Sequence, residues 1–258
     1  MLPYLPEREA KPRQIGLTMV MDKGLSLREA EQFCESSADF TDIVKLGFGT
    51  AVITRNLKEK LAVYRKNNIR VYFGGTLFEL FLIRDMFDSY RKLIDEYKLD
   101  IIEISDGSMN IQHDKKLEYI RTLSSQVTVV SEVGYKVSGV TIPMEKWAEL
   151  MSAELKAGAW KVIAEARESG NTGIYNADGS ANADLVCSIL GTVQQNDILW
   201  EAPNKSQQAY FIKLLGAGVN LGNIAPYEAL SLETLRLGLR GDTFFDFLPE
   251  NLLSYKLK

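Results

Sequence analysis

Apolar positions along this chain fall into two alternating patterns. Eight short runs are almost continuously aliphatic or β-branched: IGLTMVM (15–21), DIVKLGF (42–48), RVYFGG (70–75), DIIEISD (100–106), VTVVSEV (127–133), KVIAEAR (161–167), DILWEAP (197–203) and VNLGNI (219–224). Between them lie longer stretches in which apolar residues recur every three or four positions. The first pattern predicts parallel strands buried on both faces, and the second predicts the amphipathic helices that cover them. Helix starts carry their own signals. Ser26 with Glu29 spells a capping box for a helix to Ser37, and Thr76 with Glu79 spells another for a long helix to Lys98. Pro143 and Pro226 suit a first helical turn, and Asn204 with Gln207 forms a weaker box for a segment ending near Gly216. One connection, RESGNTGIYNADGSANAD (167–184), is Gly-rich and longer than its counterparts.

Eight strands alternating with helices, with no Pro- or Ser-rich linker between them, predict an α/β fold: a single (β/α)8 TIM barrel over residues 15–248. Residues 1–14 read as an N-terminal extension or a cover for the barrel bottom, and 249–258 as a C-terminal tail. A doubly wound open sheet fits less well. Its first strand is typically followed by a Gly-rich phosphate turn, and here MDKGLSLREA carries one glycine.

Composition narrows the chemistry. Thirty Lys and Arg stand against 34 Asp and Glu, a net charge of -4 with both signs scattered, which argues against a nucleic-acid or membrane-surface footprint. No apolar run approaches the ~20 residues of a membrane span, and the first residues are too polar for a signal peptide. Cys34 and Cys187 match neither a disulfide framework nor a zinc spacing, so a reduced, cytoplasmic setting is expected. The single histidine, His113, lies in the polar stretch SMNIQHDKK and reads as an exposed loop residue. Metal centres built on two imidazoles are therefore excluded within one chain.

Charged residues interrupt the apolar strands near their C-terminal ends, where a barrel has its active-site mouth. They are Asp22 and Lys23 after the first strand, Lys45 in the second, Glu103 and Asp106 in the fourth, Glu132 and Lys136 in and after the fifth, Glu165, Arg167 and Glu168 at the sixth, and Glu201 in the seventh. The third strand ends in Gly74, Gly75 and Thr76, and the eighth in Gly222 and Asn223. Period two puts Glu103 on a face with Ser105, and Glu165 on a face with Arg167. Such charges persist in a core if they pair with one another, as Lys45 could with Glu132, or bind a metal, or face a polar cleft. Glu103, Glu132, Glu165 and Glu201, with no histidine or thiolate beside them, suit Mg²⁺. Four exceed what that ion needs, so some are expected to orient Lys45, Lys136 or Arg167. Those cations, with the N–H groups of the Gly74–Gly75–Thr76 turn and of the loop after the eighth strand, suit a small polyanionic substrate. Lys205 and Ser206 stand where barrels often hold a phosphate.

With these residues laid out, the chain resembles the phosphosulfolactate synthase family. The similar segments are GLTMVMDKG (16–24), DIVKLGFGT (42–50), VYFGGTLFE (71–79), EISDGS (103–108), EVGYK (132–136), ARESG (166–170), EAPNKSQQ (201–208) and SLETLRLGLRGDTF (231–244). The resemblance implies a barrel enzyme, a carbon–sulfur lyase by class, that adds sulfite to phosphoenolpyruvate with Mg²⁺. Its product is (2R)-2-O-phospho-3-sulfolactate, on the way to coenzyme M or related sulfonates. It also implies that Lys136 is the general acid that protonates C2. Lys23, Lys45 and Arg167 would share phosphate, carboxylate and sulfite, in a division left open. The chain departs from the family pattern at Tyr135, where a lysine is frequent, at Phe73 in place of a proline, at Ala166 in place of a glycine, and in the short VSGVTIP loop. Two alternatives follow from those departures: a lyase or aldolase forming a Schiff base on Lys45 or Lys136, and a non-catalytic, stress-associated binding protein. Apolar helix faces and the tail lead us to expect a homo-oligomer.

Overall fold

The computed structural model describes residues 2–135, 142–167 and 169–257. Eight strands form in the eight apolar runs: β1 (Thr18–Asp22), β2 (Ile43–Leu46), β3 (Arg70–Phe73), β4 (Ile101–Ile104), β5 (Thr128–Val133), β6 (Lys161–Ala164), β7 (Ile198–Glu201) and β8 (Leu221–Ile224). Among the described residues the helices are α1 (Leu27–Ser37), α2 (Leu57–Lys66), α3 (Gly75–Leu82), α4 (Phe87–Tyr97), α5 (His113–Ser124), α6 (Met144–Lys156), α7 (Ala183–Leu190), α8 (Lys205–Leu215) and α9 (Ala229–Arg236). The strands pair in parallel in the order β3-β2-β1-β8-β7-β6-β5-β4. β3 and β4 then meet to close the ring, and side chains stitch that seam: the Tyr72 hydroxyl and the Gly75 amide both donate to Glu103, at 2.8 and 2.5 Å. The fold is a single (β/α)8 TIM barrel.

Alternation along the strands explains both cores. Val44, Val71, Ile102, Val129, Val162 and Trp200 face the helices. Leu17, Met19, Ile43, Tyr72, Ile101, Val130, Ile163 and Leu199 fill the barrel interior. Two residues further along each strand, on the same interior side, come Met21, Lys45, Gly74, Glu103, Glu132, Glu165 and Glu201. The lower layer is thus apolar and the upper one charged, so the barrel has an apolar floor under an ionic site.

The first segment folds under the barrel. Arg8 pairs with Glu233 at 2.9 Å, Arg13 pairs with Asp42 at 3.1 Å, and the Lys11 ammonium donates to the carbonyls of Ala38 and Thr41. Arg236, fully buried, donates to the carbonyls of Ala217, Val219 and Leu17. The last segment includes a 3₁₀ turn at Glu250–Tyr255.

Two helix starts form as their caps predict. Ser26 and Glu29 make the full capping box of α1, and Asn204 donates its amide to Gln207 at the start of α8. The long helix expected from Thr76 to Lys98 is a correction. α3 starts at Gly75 without a side-chain cap and ends at Leu82, Asp85 takes a left-handed φ of 55°, and α4 begins at Phe87. Glu79 does not cap its own helix because it is buried and reaches to the β4–α5 loop, accepting from the Ser105 hydroxyl and from the Ser108 amide. Pro143 is the N-cap of α6, and Pro226 opens a 3₁₀ turn ahead of α9.

Candidate active site

A cavity of about 420 Å³ opens at the C-terminal ends of the strands. Its polar lining includes Lys45, Thr76, Glu132, Glu165, Glu201 and Asn223, with Arg167 and Ser108 at the rim. Lys45 is the hub. Its ammonium lies 2.8 Å from Glu103, 3.2 Å from Glu132 and 3.5 Å from Glu201. Burial alone would lower its pKa, but Glu103 and Glu132 outweigh that and hold it well above the ordinary lysine value. Lys45 is therefore a fixed positive charge.

The four interior glutamates divide into two roles. Glu103 is surrounded by protein donors: the Gly75 amide, the Tyr72 hydroxyl and Lys45. Burial holds the Tyr72 hydroxyl well above its usual range, so it stays a donor. Glu132, Glu165 and Glu201 instead converge, each bringing one carboxylate oxygen within 4.8 Å of the others. Glu201 also accepts from the Ala166 amide at 2.9 Å. Burial pushes its carboxyl up to about 7, with Lys45 pulling it down and Glu132 pushing it further up. Three buried oxygen donors this close, with ionisation of Glu201 disfavoured, are the chemistry a hard divalent cation relieves. On that ground the residues fit Mg²⁺.

Asn223 enters the cavity against the strand alternation. Its left-handed backbone, φ 56°, is one that asparagine tolerates. Its amide nitrogen donates to the Ala166 carbonyl at 3.0 Å and to Glu201 at 3.5 Å, which leaves its buried carbonyl oxygen as an acceptor without a protein partner. Gly134 makes room for Glu165. It has a φ of 140°, and a Cβ there would stand 2.3 Å from the Cβ of Glu165. We expect Gly134→Ala to cost about 3 kcal/mol from backbone strain and overpacking together. Urea unfolding checks this, and a loss under 1 kcal/mol would contradict the packing argument.

Other residues singled out by the sequence lie elsewhere. The amides of the Gly74–Gly75 turn are taken, Gly74 by the Leu46 carbonyl and Gly75 by Glu103, so neither is offered to an anion. Ser105 is buried under Glu79. Lys205 grips Asp242 at 2.9 Å, and Ser206 borders a separate shallow depression with Ser169 and Asn204. Lys23 lines a neighbouring cavity beside α1 and sits 5.8 Å from the Phe48 ring, which reaches the central one. Asp22 is structural: it binds Lys60 and Tyr64. Lys136 and Glu168 lie outside the described residues, as does most of the VSGVTIP loop. His113 is the first residue of α5 and pairs with Glu154 at 3.2 Å, so it is half-buried and partnered where an exposed loop residue was expected. Tyr72, Glu79 and Lys116 were not legible as site residues. A charge on an otherwise apolar helix face was the available signal for the last two, as in Lys116, Ile120 and Leu123 on α5.

The long connection after β6 packs against the end of β7 and the start of α8. Ile174 and Tyr175 are buried, Tyr175 donates its hydroxyl to the Glu201 carbonyl at 2.6 Å, and Gln207 donates to the Gly170 carbonyl. The loop is thus tied to the same strand end that carries Glu201.

A barrel with a charged lysine and converging carboxylates at its C-terminal mouth defines a class: a TIM-barrel enzyme. Residues 6–242 match the family described as (2R)-phospho-3-sulfolactate synthase (ComA). This chain belongs to that family. It is 41% identical over 244 residues to the phosphosulfolactate synthase of Methanothermobacter thermautotrophicus, covering 92% of this chain and 95% of that one. The phosphosulfolactate synthase of Bacillus subtilis is 38% identical over 244 residues, covering 93% and 97%. A more distant relative is the protein HEAT-STRESS-ASSOCIATED 32 of Arabidopsis thaliana, 21% identical over 89% of this chain and 88% of that one. Among solved structures, the 3-hexulose-6-phosphate synthase of Salmonella typhimurium superposes with a TM-score of 0.57 at 16% identity, over 87% of this chain and all of that one, a likeness of fold.

Proposed function

We propose that this protein is a phosphosulfolactate synthase that adds sulfite to C3 of phosphoenolpyruvate, giving (2R)-2-O-phospho-3-sulfolactate. The observation that carries this reading is the charge layout of the cavity: Glu132, Glu165 and Glu201 within 4.8 Å of one another beside the ammonium of Lys45, on a chain of this family. A cavity of about 420 Å³ accommodates two small anions. Sulfite attack puts negative charge on the substrate carboxylate, and C2 then takes a proton. Lys45 holds a preorganised positive charge under that carboxylate region. Arg167 at the rim supplies a guanidinium suited to a phosphate or sulfonate. Lys136 is assigned the proton delivery by its place in EVGYK, since an ordinary lysine is protonated at neutral pH.

Glu132, Glu165 and Glu201 would hold Mg²⁺, which when bound stabilises charge developing on substrate oxygens. Asn223, with a carbonyl oxygen unpartnered in the protein, is a further acceptor facing that region. Glu103 supports Lys45. The Schiff-base alternative needs a neutral lysine, and Lys45 among three carboxylates is the opposite case. The retained lysine and glutamates likewise favour an enzyme over a non-catalytic relative. No helix among the described residues is long and apolar enough to cross a membrane. Both cysteines are free, which suits a reducing cytoplasm. We extend the reading to a homo-oligomer serving sulfonate or coenzyme M synthesis.

The test is the loss of phosphoenolpyruvate absorbance on adding sulfite. We expect turnover that stops with a chelator and returns with Mg²⁺, and at least about 100-fold less in Lys136→Ala. No loss at saturating sulfite and Mg²⁺ would refute the reading, and turnover indifferent to chelation would refute its metal.

A further inference from the structure

Behind the cavity, on the helix side of the barrel, lies a second ionic cluster that the proposed chemistry does not use. Lys116 on α5 is 2% exposed. Its ammonium lies 2.8 Å from Asp106 in the β4–α5 loop and 2.8 Å from Glu154 on α6. The same ammonium donates to the backbone carbonyl of Glu132 at 2.6 Å. Glu154, 1% exposed, also takes His113.

Two of those partners lead directly to the cavity. Glu132 is one of the converging carboxylates, and its side chain points inward while its carbonyl is held from outside. Asp106 lies two residues before Ser108, which lines the rim. The other side of that loop is held by Glu79, through the Ser105 hydroxyl and the Ser108 amide. The loop is thus clamped between a carboxylate from α3 and an ammonium from α5, and that ammonium also reaches β5.

Packing does not require this arrangement. Apolar residues at all three positions could fill the site without the desolvation cost of a buried lysine and two carboxylates. What the charges add is fixed geometry, the contribution by which outer partners set the affinity of a metal or substrate site. We propose that Lys116 is a positioning residue. It locks the backbone of Glu132 to the Ser108 loop, so that the metal carboxylates and the substrate rim keep one relative placement. This inference rests on the assignment of Glu132 as a metal ligand.

The experiment uses the full chain and Mn²⁺ as the probe ion, with binding read by electron paramagnetic resonance and substrate KM read at saturating metal. Lys116→Met is expected to unfold cooperatively yet bind Mn²⁺ about 10-fold more weakly than wild type. Wild-type Mn²⁺ affinity in that variant, with only a lowered melting temperature, would make Lys116 a residue of the fold alone and overturn the proposal. If Lys116→Met does not fold, Asp106→Ala carries the test. It leaves Lys116 on Glu154 and on the Glu132 carbonyl and releases only the loop. KM for phosphoenolpyruvate is then expected to rise several-fold, with Mn²⁺ affinity kept within about 2-fold; an unchanged KM overturns the proposal. A wild-type protein that binds no Mn²⁺ is a different failure, because it removes the metal reading itself.

Discussion

Lys45→Met is expected to abolish turnover, by about 1,000-fold or more, and to destabilise the protein by about 3–5 kcal/mol at pH 8, the cost of breaking a buried ionic group by removing one partner. Glu103, Glu132 and Glu201 share this ammonium, so its loss leaves buried carboxylates without their common cation. The pH dependence has a definite sign. In the wild type, Lys45 has a folded pKa above its unfolded value, so its contribution is complete below about pH 10 and is lost only as pH rises past the folded value. Neutral pH therefore reports the whole effect. Glu201 has a folded pKa of about 7 that Lys45 holds down, so loss of the ammonium raises it further, and a carboxyl raised in the fold removes stability as pH rises. The deficit should therefore shrink between pH 8 and pH 5, as Glu201 takes up a proton. Urea unfolding at the two values measures it, and an equal deficit at both would rule out the carboxylates as its cause.

How much of this was legible in the sequence follows from which interactions are periodic. Strand alternation is local, so eight runs and the charged upper layer could be located from spacing alone. Lys45 two residues after Ile43, and Glu103 two after Ile101, already sit on the interior face. The roles of the glutamates were not legible, because what separates Glu103 from Glu132, Glu165 and Glu201 is contact across strands. Glu103 meets Tyr72 and Gly75 over the β3–β4 seam, an encounter set by closure of the ring. Thr76 and Glu79 misled for a related reason: a capping pair is a local signal, and a buried tertiary demand from Ser105 and Ser108 overrode it. Asn223 broke parity through its left-handed backbone, and Lys205 was drawn to Asp242, some forty residues away in sequence. Family likeness could supply what periodicity could not, namely the reaction. The partners that hold the site from behind, Glu79 and Lys116, required the structure.

Substituting a carboxylate in the same cluster should act with the opposite sign on stability. Glu201 has a folded pKa of about 7 against an ordinary 4.5, so its ionisation works against the metal-free fold. Metal-free wild type is then expected to lose stability as pH rises from about 4.5 to 7, by of order 2–3 kcal/mol from this group. Glu201→Gln removes that slope. Its carbonyl can still accept from the Ala166 amide, so the hydrogen bond that ties β7 to the β6 end survives. Free of metal at pH 8, the variant should melt higher than wild type, and near pH 5 the two should be close. Function should go the other way. With one of three converging carboxylates gone, added Mg²⁺ should no longer raise the melting temperature, as it is expected to do for wild type, and turnover should fall by about 100-fold or more. A site that stores destabilisation in its ligand set and releases it on binding accounts for both changes. Thermal scans with and without Mg²⁺ at the two pH values separate the cases. A variant less stable than wild type at pH 8 would place Glu201 among the structural pairs, and a retained Mg²⁺ shift would remove it from the metal site.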